Sequence, residues 1–227
     1  MSESEMQCEV IKHDLGQFDL CFKIIIVGDS GVGKSCLSIK AIKDYFEELY
    51  APTVGFEFLS FSMKINEITV KLQIWDTCGQ EAYRSLINSF YRNSSLAVLV
   101  YSIDKMETFE NLERWLNDIK TQSNPDIKII LIGNKNDLEK QREVSKEKGE
   151  QFYSDHNLSY FMETSAKTGF NAQNLFKKAG SILYEEHLKN KDNITRPGSI
   201  LTTPFIPGIT DPEIEEDIII RKKKCFC

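Results

Sequence analysis

The chain has 227 residues, with 34 Asp and Glu against 28 Lys and Arg, a net charge of −6 at pH 7 and 41% hydrophobic residues. Length and composition suit one ample domain with some tail. The acid excess argues against wholesale nucleic-acid binding, and no apolar run approaches the roughly 18 residues that a membrane span needs.

The start, "MSESEMQCEV", has neither the basic opening nor the apolar core of a secretory signal, and Ser2 in place of glycine excludes N-myristoylation there. Residues 1–18 are polar and mixed and read as a short flexible arm. "LCFKIIIVG" is a β-branched run ending in glycine, the pattern of a buried strand, and "KSCLSIKAIKDYF" follows with helical spacing. "FEFLSFSMKI" and "ITVKLQIWD" are joined only by Asn66 and Glu67, which predicts a hairpin. Buried strands are expected at 96–103 and 127–134 and a shorter one at 158–165, with helices at 105–120, 144–156 and 171–188. Strands alternating with helices predict an α/β fold, mostly parallel with one antiparallel edge. Past about residue 188 four prolines, two glycines and no period mark a flexible tail, so the domain is expected at 19–188 and the tail at 189–227. The four cysteines outside the last three residues, Cys8, Cys21, Cys36 and Cys78, are expected as reduced thiols.

"GDSGVGKS" (28–35) fits the P-loop pattern between a strand and a helix. Its glycines let backbone N–H groups converge on an anion, and the helix N-terminus adds partial positive charge. Lys34 reaches the outer phosphates and the Ser35 hydroxyl ligates Mg²⁺. "NKND" (134–137) follows a strand, at the sheet edge where α/β ligands bind. Asp137 offers two acceptor oxygens to the N1–H and exocyclic amine of guanine; adenine would leave it unpaired. The Lys135 stem packs on the base, and in "ETSAKT" (163–168) the Ala166 N–H is placed to donate to the guanine O6. "WDTCGQE" (75–81) sets Asp76 by the Mg²⁺ shell, the Gly79 N–H toward a γ-phosphate and Gln80 to orient the attacking water; Thr53 in "YAPTVG" completes the metal and phosphate contacts.

Together with "PTVGFEF", "KLQIWDTCGQEAYRSL", "SFYRNSSLAVLVYSI", "LIGNKNDL" and "METSAKT", these segments make residues 19–187 resemble a small GTPase of the Ras superfamily, in its Rab branch. The resemblance implies a six-stranded mixed sheet with about five helices and GTP or GDP with Mg²⁺ as cofactors. Nucleotide-binding residues would be Asp29, Ser30, Gly31, Val32, Gly33, Lys34, Ser35, Cys36, Phe46, Thr53, Gly79, Asn134, Lys135, Asp137, Ser165, Ala166 and Lys167, with Phe46 stacked on the guanine. Ser35, Thr53 and Asp76 would serve the metal, and Gln80 would be catalytic. Residues near 47–58 and 76–92 would be the two switch segments, and Phe58, Trp75 and Phe90 an exposed aromatic cluster that effectors read. It implies a switch that hydrolyses GTP slowly, served by a guanine nucleotide exchange factor, a GTPase-activating protein, effectors, and escort and GDP-dissociation-inhibitor proteins, in vesicle traffic. Cys78, Ala82 and Asn93 depart from the family's usual alanine, basic residue and glycine; a GTP-bound scaffold that barely hydrolyses is the alternative that Cys78 raises. A phosphotransferase would need a substrate domain or lid carrying arginines, for which the chain shows no room.

The end, "RKKKCFC", joins four bases to a Cys-x-Cys pair. It resembles the terminus on which Rabs carry two geranylgeranyl groups, at Cys225 and Cys227. Two lipid chains hold a membrane where one is marginal, and the bases add attraction to an anionic surface. The expected location is the cytoplasm, anchored to the cytosolic face of endomembranes.

Overall fold

The β-branched runs become strands of one seven-stranded sheet. The computed structural model describes residues 7–11, 17–48, 56–77 and 90–194. In chain order they hold β1 Cys8–Ile11, β2 Leu20–Val27, α1 Lys34–Lys43, β3 Phe56–Ile65, β4 Ile68–Thr77, β5 Leu96–Ser102, α2 Met106–Glu110, α3 Leu112–Gln122, β6 Lys128–Asn134, a 3-10 turn Asn136–Gln141, α4 Lys146–Asp155, β7 Tyr160–Glu163 and α5 Ala172–Ile194. Sheet order is β1-β3-β4-β2-β5-β6-β7. Strands β4, β2, β5, β6 and β7 are parallel, and the predicted β3–β4 hairpin is antiparallel, turning at Asn66 with φ 53°. Asn tolerates that left-handed conformation better than most residues.

The central strands are apolar on both sides because both faces are covered. Ile24 and Ile26 face a core built with Leu37 of α1 and Leu175, Phe176 and Ala179 of α5. Ile25 and Val27 face the opposite core, filled by Leu112, Trp115, Leu116 and Ile119 of α3 and Phe152 of α4. The alternation repeats in β5, where Val98 and Val100 face one core and Leu99 and Tyr101 the other. A strand with a period of two, buried on both faces, accounts for the unbroken apolar text.

Three expectations need correction. The sheet has seven strands, not six: Cys8–Ile11, inside the stretch read as a flexible arm, pairs antiparallel with Ser62–Ile65 of β3. Its signal was weak, since one face meets the core through Cys8 and Val10 while the run is only four residues long. The single helix expected at 105–120 is two, meeting at Asn111. Helix α5 continues to Ile194, beyond the boundary placed at 188, because polar residues in its last turns break no helical rule. The tail from 195, and with it Cys225 and Cys227, lies outside the described residues, as do Thr53, Cys78, Gly79, Gln80 and Ala82.

Strands β2, β4, β5, β6 and β7 all point their carboxyl ends at one edge of the sheet. The chain leaves β2 with β4 on one flank and β5 on the other. That reversal of strand order opens a crevice at the end of β2, where ligands bind in such sheets.

Removing residues 1–12 strips β1 from β3 and uncovers Val10's contact; the expected loss is about 1–2 kcal/mol, a fall in Tm of about 2–8 °C. Thermal denaturation of the truncated and full chains checks this, and an unchanged Tm would show that β1 adds nothing.

Candidate functional site

The crevice at the end of β2 is lined by the loop 28–33. Gly31 and Gly33 hold φ 78° and 91°, and Gly28 holds φ 143°. A Cβ on Gly28 would lie 2.2 Å from the Val100 carbonyl oxygen, and one on Gly33 2.5 Å from Nδ2 of Asn134, so both positions exclude side chains by space as well as by φ. Helix α1 starts on Gly33 with no side-chain cap and no acidic residue in its first turn. Its first N–H groups are therefore open to an anion. Lys34 is buried, and its Nζ donates to the carbonyls of Gly28 and Asp29, both at 2.8 Å, which fixes the ammonium over the loop. Ser30 and Gly31 form the exposed tip, Val32 is buried, and Ser35 and half-buried Cys36 follow in α1. Burial pushes the Cys36 thiol up, and the neighbouring Asp76 carboxylate adds to this.

Asp76 is fully buried near the end of β4, in register with Ile26, and the next residue, Thr77, donates its hydroxyl to the Ile26 carbonyl at 2.7 Å. Neither Asp76 oxygen has a hydrogen-bond partner among the described residues. Burial pushes its pKa up to about 6, against the pull of the Ser35 hydroxyl and the Lys34 ammonium, with Glu57 pushing further up. A buried carboxylate without a donor, beside a hydroxyl, is an incomplete arrangement that a divalent cation would complete. Ser35 and Asp76 thus fit the magnesium expected of them.

On the other flank, β6 ends at Asn134, whose amide is wholly buried. Its Nδ2 donates to the Val32 carbonyl at 2.8 Å; its Oδ1 accepts the Thr164 hydroxyl at 3.0 Å and the Ala166 N–H at 3.3 Å. One side chain ties the phosphate loop to the two later loops. The Ala166 N–H, expected to face a base, is here engaged by Asn134. Lys135 adopts φ 67° and its Nζ lies 3.7 Å from Asp104. Asp137 is exposed and accepts the Ser165 hydroxyl, so the two base-reading segments meet. Lys167 pairs across the chain with Glu48 at 2.7 Å, and Phe46 is partly buried against the α1–α5 core.

One site expectation changes, and the Asp29 side chain is engaged elsewhere. The Asp29 carboxylate turns away from the loop to α3: Asn111 Nδ2 donates to it at 2.7 Å and Trp115 Nε1 at 2.8 Å. Any part Asp29 takes in holding a phosphate falls to its main chain. Phe90 is buried, only 6% exposed, rather than open. Phe58 is open, Trp75 partly so, and Phe56, which the sequence reading passed over, joins them: its ring lies 5.4 Å from Trp75 and 4.6 Å from Phe90. Asn93, where a glycine is usual, holds φ 61°, a conformation Asn tolerates.

The Ras family model matches residues 23–185, well over half of the chain. The chain belongs to the Ras family of small GTPases, whose members bind guanine nucleotides, typically with Mg²⁺, and act with exchange factors, activating proteins and effectors.

Asp76→Asn should stabilise the nucleotide-free chain in chelator at pH 7.5, by about 3 kcal/mol. The buried acid holds its proton more tightly folded than unfolded, so wild-type stability falls as pH rises from about 4 to about 6. The gain from Asn should therefore shrink as pH is lowered through that window. Chemical denaturation at several pH values checks it; a gain that does not vary with pH would contradict the assignment.

Proposed function

We propose that this chain is a Rab-type switch that binds GTP or GDP with Mg²⁺, hydrolyses GTP slowly until an activating protein engages it, and recruits effectors at the cytosolic face of endomembranes in vesicle traffic. The observation that carries the Rab assignment is the aromatic surface on the β3–β4 hairpin. Phe56, Phe58, Trp75 and Phe90 stack at centroid distances of 4.6–5.5 Å, with Phe58 48% exposed. Open aromatic surface of this kind marks a partner site. Phe56 and Phe58 belong to residues 47–58 and Phe90 to residues 76–92, so the surface would change with either switch segment.

In this reading Lys34 and the first N–H groups of α1 hold the outer phosphates. Ser35, Asp76 and Thr53 hold the metal, which when bound neutralises charge on the phosphate oxygens. Asp137 selects guanine through its two acceptor oxygens, with Ser165 steadying one of them and Lys135 covering the ring. Gln80 orients the attacking water, and Gly79 donates its N–H to the terminal phosphate. No covalent step on the protein is required. Geranylgeranyl groups on Cys225 and Cys227, with Arg221, Lys222, Lys223 and Lys224 beside them, would anchor the chain, and escort and GDP-dissociation-inhibitor proteins would handle it between membranes.

Single-turnover hydrolysis should accelerate about 10³-fold or more when a broad-specificity Rab activating protein is added; no acceleration would favour a GTP-bound scaffold. Asp137→Asn should weaken GDP binding by about 10²-fold or more and turn preference to xanthosine diphosphate. Unchanged GDP affinity would refute the base assignment. In cells, replacing Cys225 and Cys227 by Ser should leave the protein in the soluble fraction, and persistence in membranes would refute the lipid anchor.

A further inference from the structure

Behind the base-reading turn lies an ion-pair network that joins Asn136 of "NKND" and Glu163 of "ETSAKT" to Glu139 and Arg142, which neither motif includes. Glu163, the last residue of β7, is 8% exposed. Its carboxylate accepts Arg142 Nη1 at 2.6 Å and Nη2 at 2.9 Å, a two-pronged pairing, and Asn136 Nδ2 at 2.8 Å. Arg142 also holds Glu139 through Nε at 2.9 Å and Nη2 at 2.6 Å, and donates to the Val144 carbonyl at 2.9 Å. Asn136 and Glu139 both lie in the 3-10 turn Asn136–Gln141 that carries Asp137. Asn136, which opens the turn, and Arg142, just past its end, thus both bond the Glu163 carboxylate, and the Asn136 N–H adds a bond to the Thr164 carbonyl at 2.9 Å.

We propose that Arg142 and Glu163 are positioning residues for guanine selection: their pairing, with Asn136, sets the pose of the turn from which Asp137 reads the exocyclic amine. The proposal rests on the guanine reading of Asp137 given above. Asp137 itself is exposed, and among the described residues its carboxylate has one side-chain partner, Ser165. Buried Ser165 holds one oxygen, so the direction of the other depends on the backbone turn beneath it. The guanidinium fork supplies this because it bonds Glu163 at two points and Glu139 at two, in one plane, which a single-point donor cannot do. Serial coupling of this kind, in which a buried partner orients the residue that touches the ligand, governs precision in binding sites generally.

The test compares GDP with inosine diphosphate, which keeps N1–H and lacks the exocyclic amine. The ratio of the two affinities, measured by displacement of a fluorescent nucleotide from the full chain in Mg²⁺, reports Asp137's pose. Overall stability cancels from it. Glu163→Gln and Arg142→Gln should each lower the GDP preference by about tenfold, the worth of one loosened hydrogen bond to a charged group. Arg142→Lys, which keeps the charge and loses the fork, should fall between them and wild type, and reads the same ratio should the other variants not fold. Leu183→Ala, in the α5 core and outside the ion-pair network, should lower the melting temperature and leave the ratio unchanged. A GDP preference within about twofold of wild type in the Arg142 and Glu163 variants overturns the proposal. So does an equal fall in Leu183→Ala. Wild-type chain that binds GDP no better than inosine diphosphate overturns the guanine reading itself, and the proposal with it.

Discussion

The site hangs on the buried amide of Asn134. A primary amide out of water must find partners for its donors and its acceptor or lose several kcal/mol. Asn134 finds them on two separate segments: the Val32 carbonyl of the phosphate loop, and the Thr164 hydroxyl and Ala166 N–H of the loop after β7. Because these lie 102, 30 and 32 residues away, the bond set can form only when β2, β5, β6 and β7 have already come together in the sheet. Gly33 belongs to the same constraint, since a Cβ there would sit on the Asn134 nitrogen. The residue that caps the phosphate helix must therefore be glycine for a reason set by the opposite end of the cleft. Phosphate loop and base loops are one rigid object, held by a side chain whose hydrogen bonds in this structure are all internal.

Asp76 stands in contrast to that satisfied amide. It is as deeply buried, yet neither oxygen is bonded among the described residues, and burial pushes its pKa up to about 6. One polar group is closed by bonds within the fold, and the other, among the described residues, is not. The same division separates Asp29, whose carboxylate is consumed by Asn111 and Trp115, from Lys34, whose ammonium is aimed over the loop by two carbonyls. Asp29 also joins the phosphate loop to α3 through Trp115.

Much of this was legible in the sequence. A strand buried on both faces reads as an unbroken β-branched run, so β2, β5 and β6 were plain, and glycine spacing located the phosphate loop. What escaped depends on contacts between distant positions. Arg142 and Glu163 lie 21 residues apart, and the tip of a turn and the end of a strand meet only through the fold. Phe90 was expected to be open, but its burial is decided by Phe56 and Trp75 packing on it from the hairpin. β1 was missed because four residues with one apolar face hardly differ from a polar arm; pairing with β3 supplies what local propensity does not. Helix α5 overran its expected end because no glycine or proline lies between residue 188 and Ile194.

The central claim is that this cleft holds a guanosine nucleotide between Lys34 and Asp137. The most direct measurement is the identity of what copurifies: denature the purified full chain, kept in Mg²⁺ throughout, and separate the released small molecules by chromatography. The account predicts GDP or GTP in an amount close to that of the protein. Adenine nucleotides in their place, or no nucleotide together with no uptake of added GDP, would contradict it.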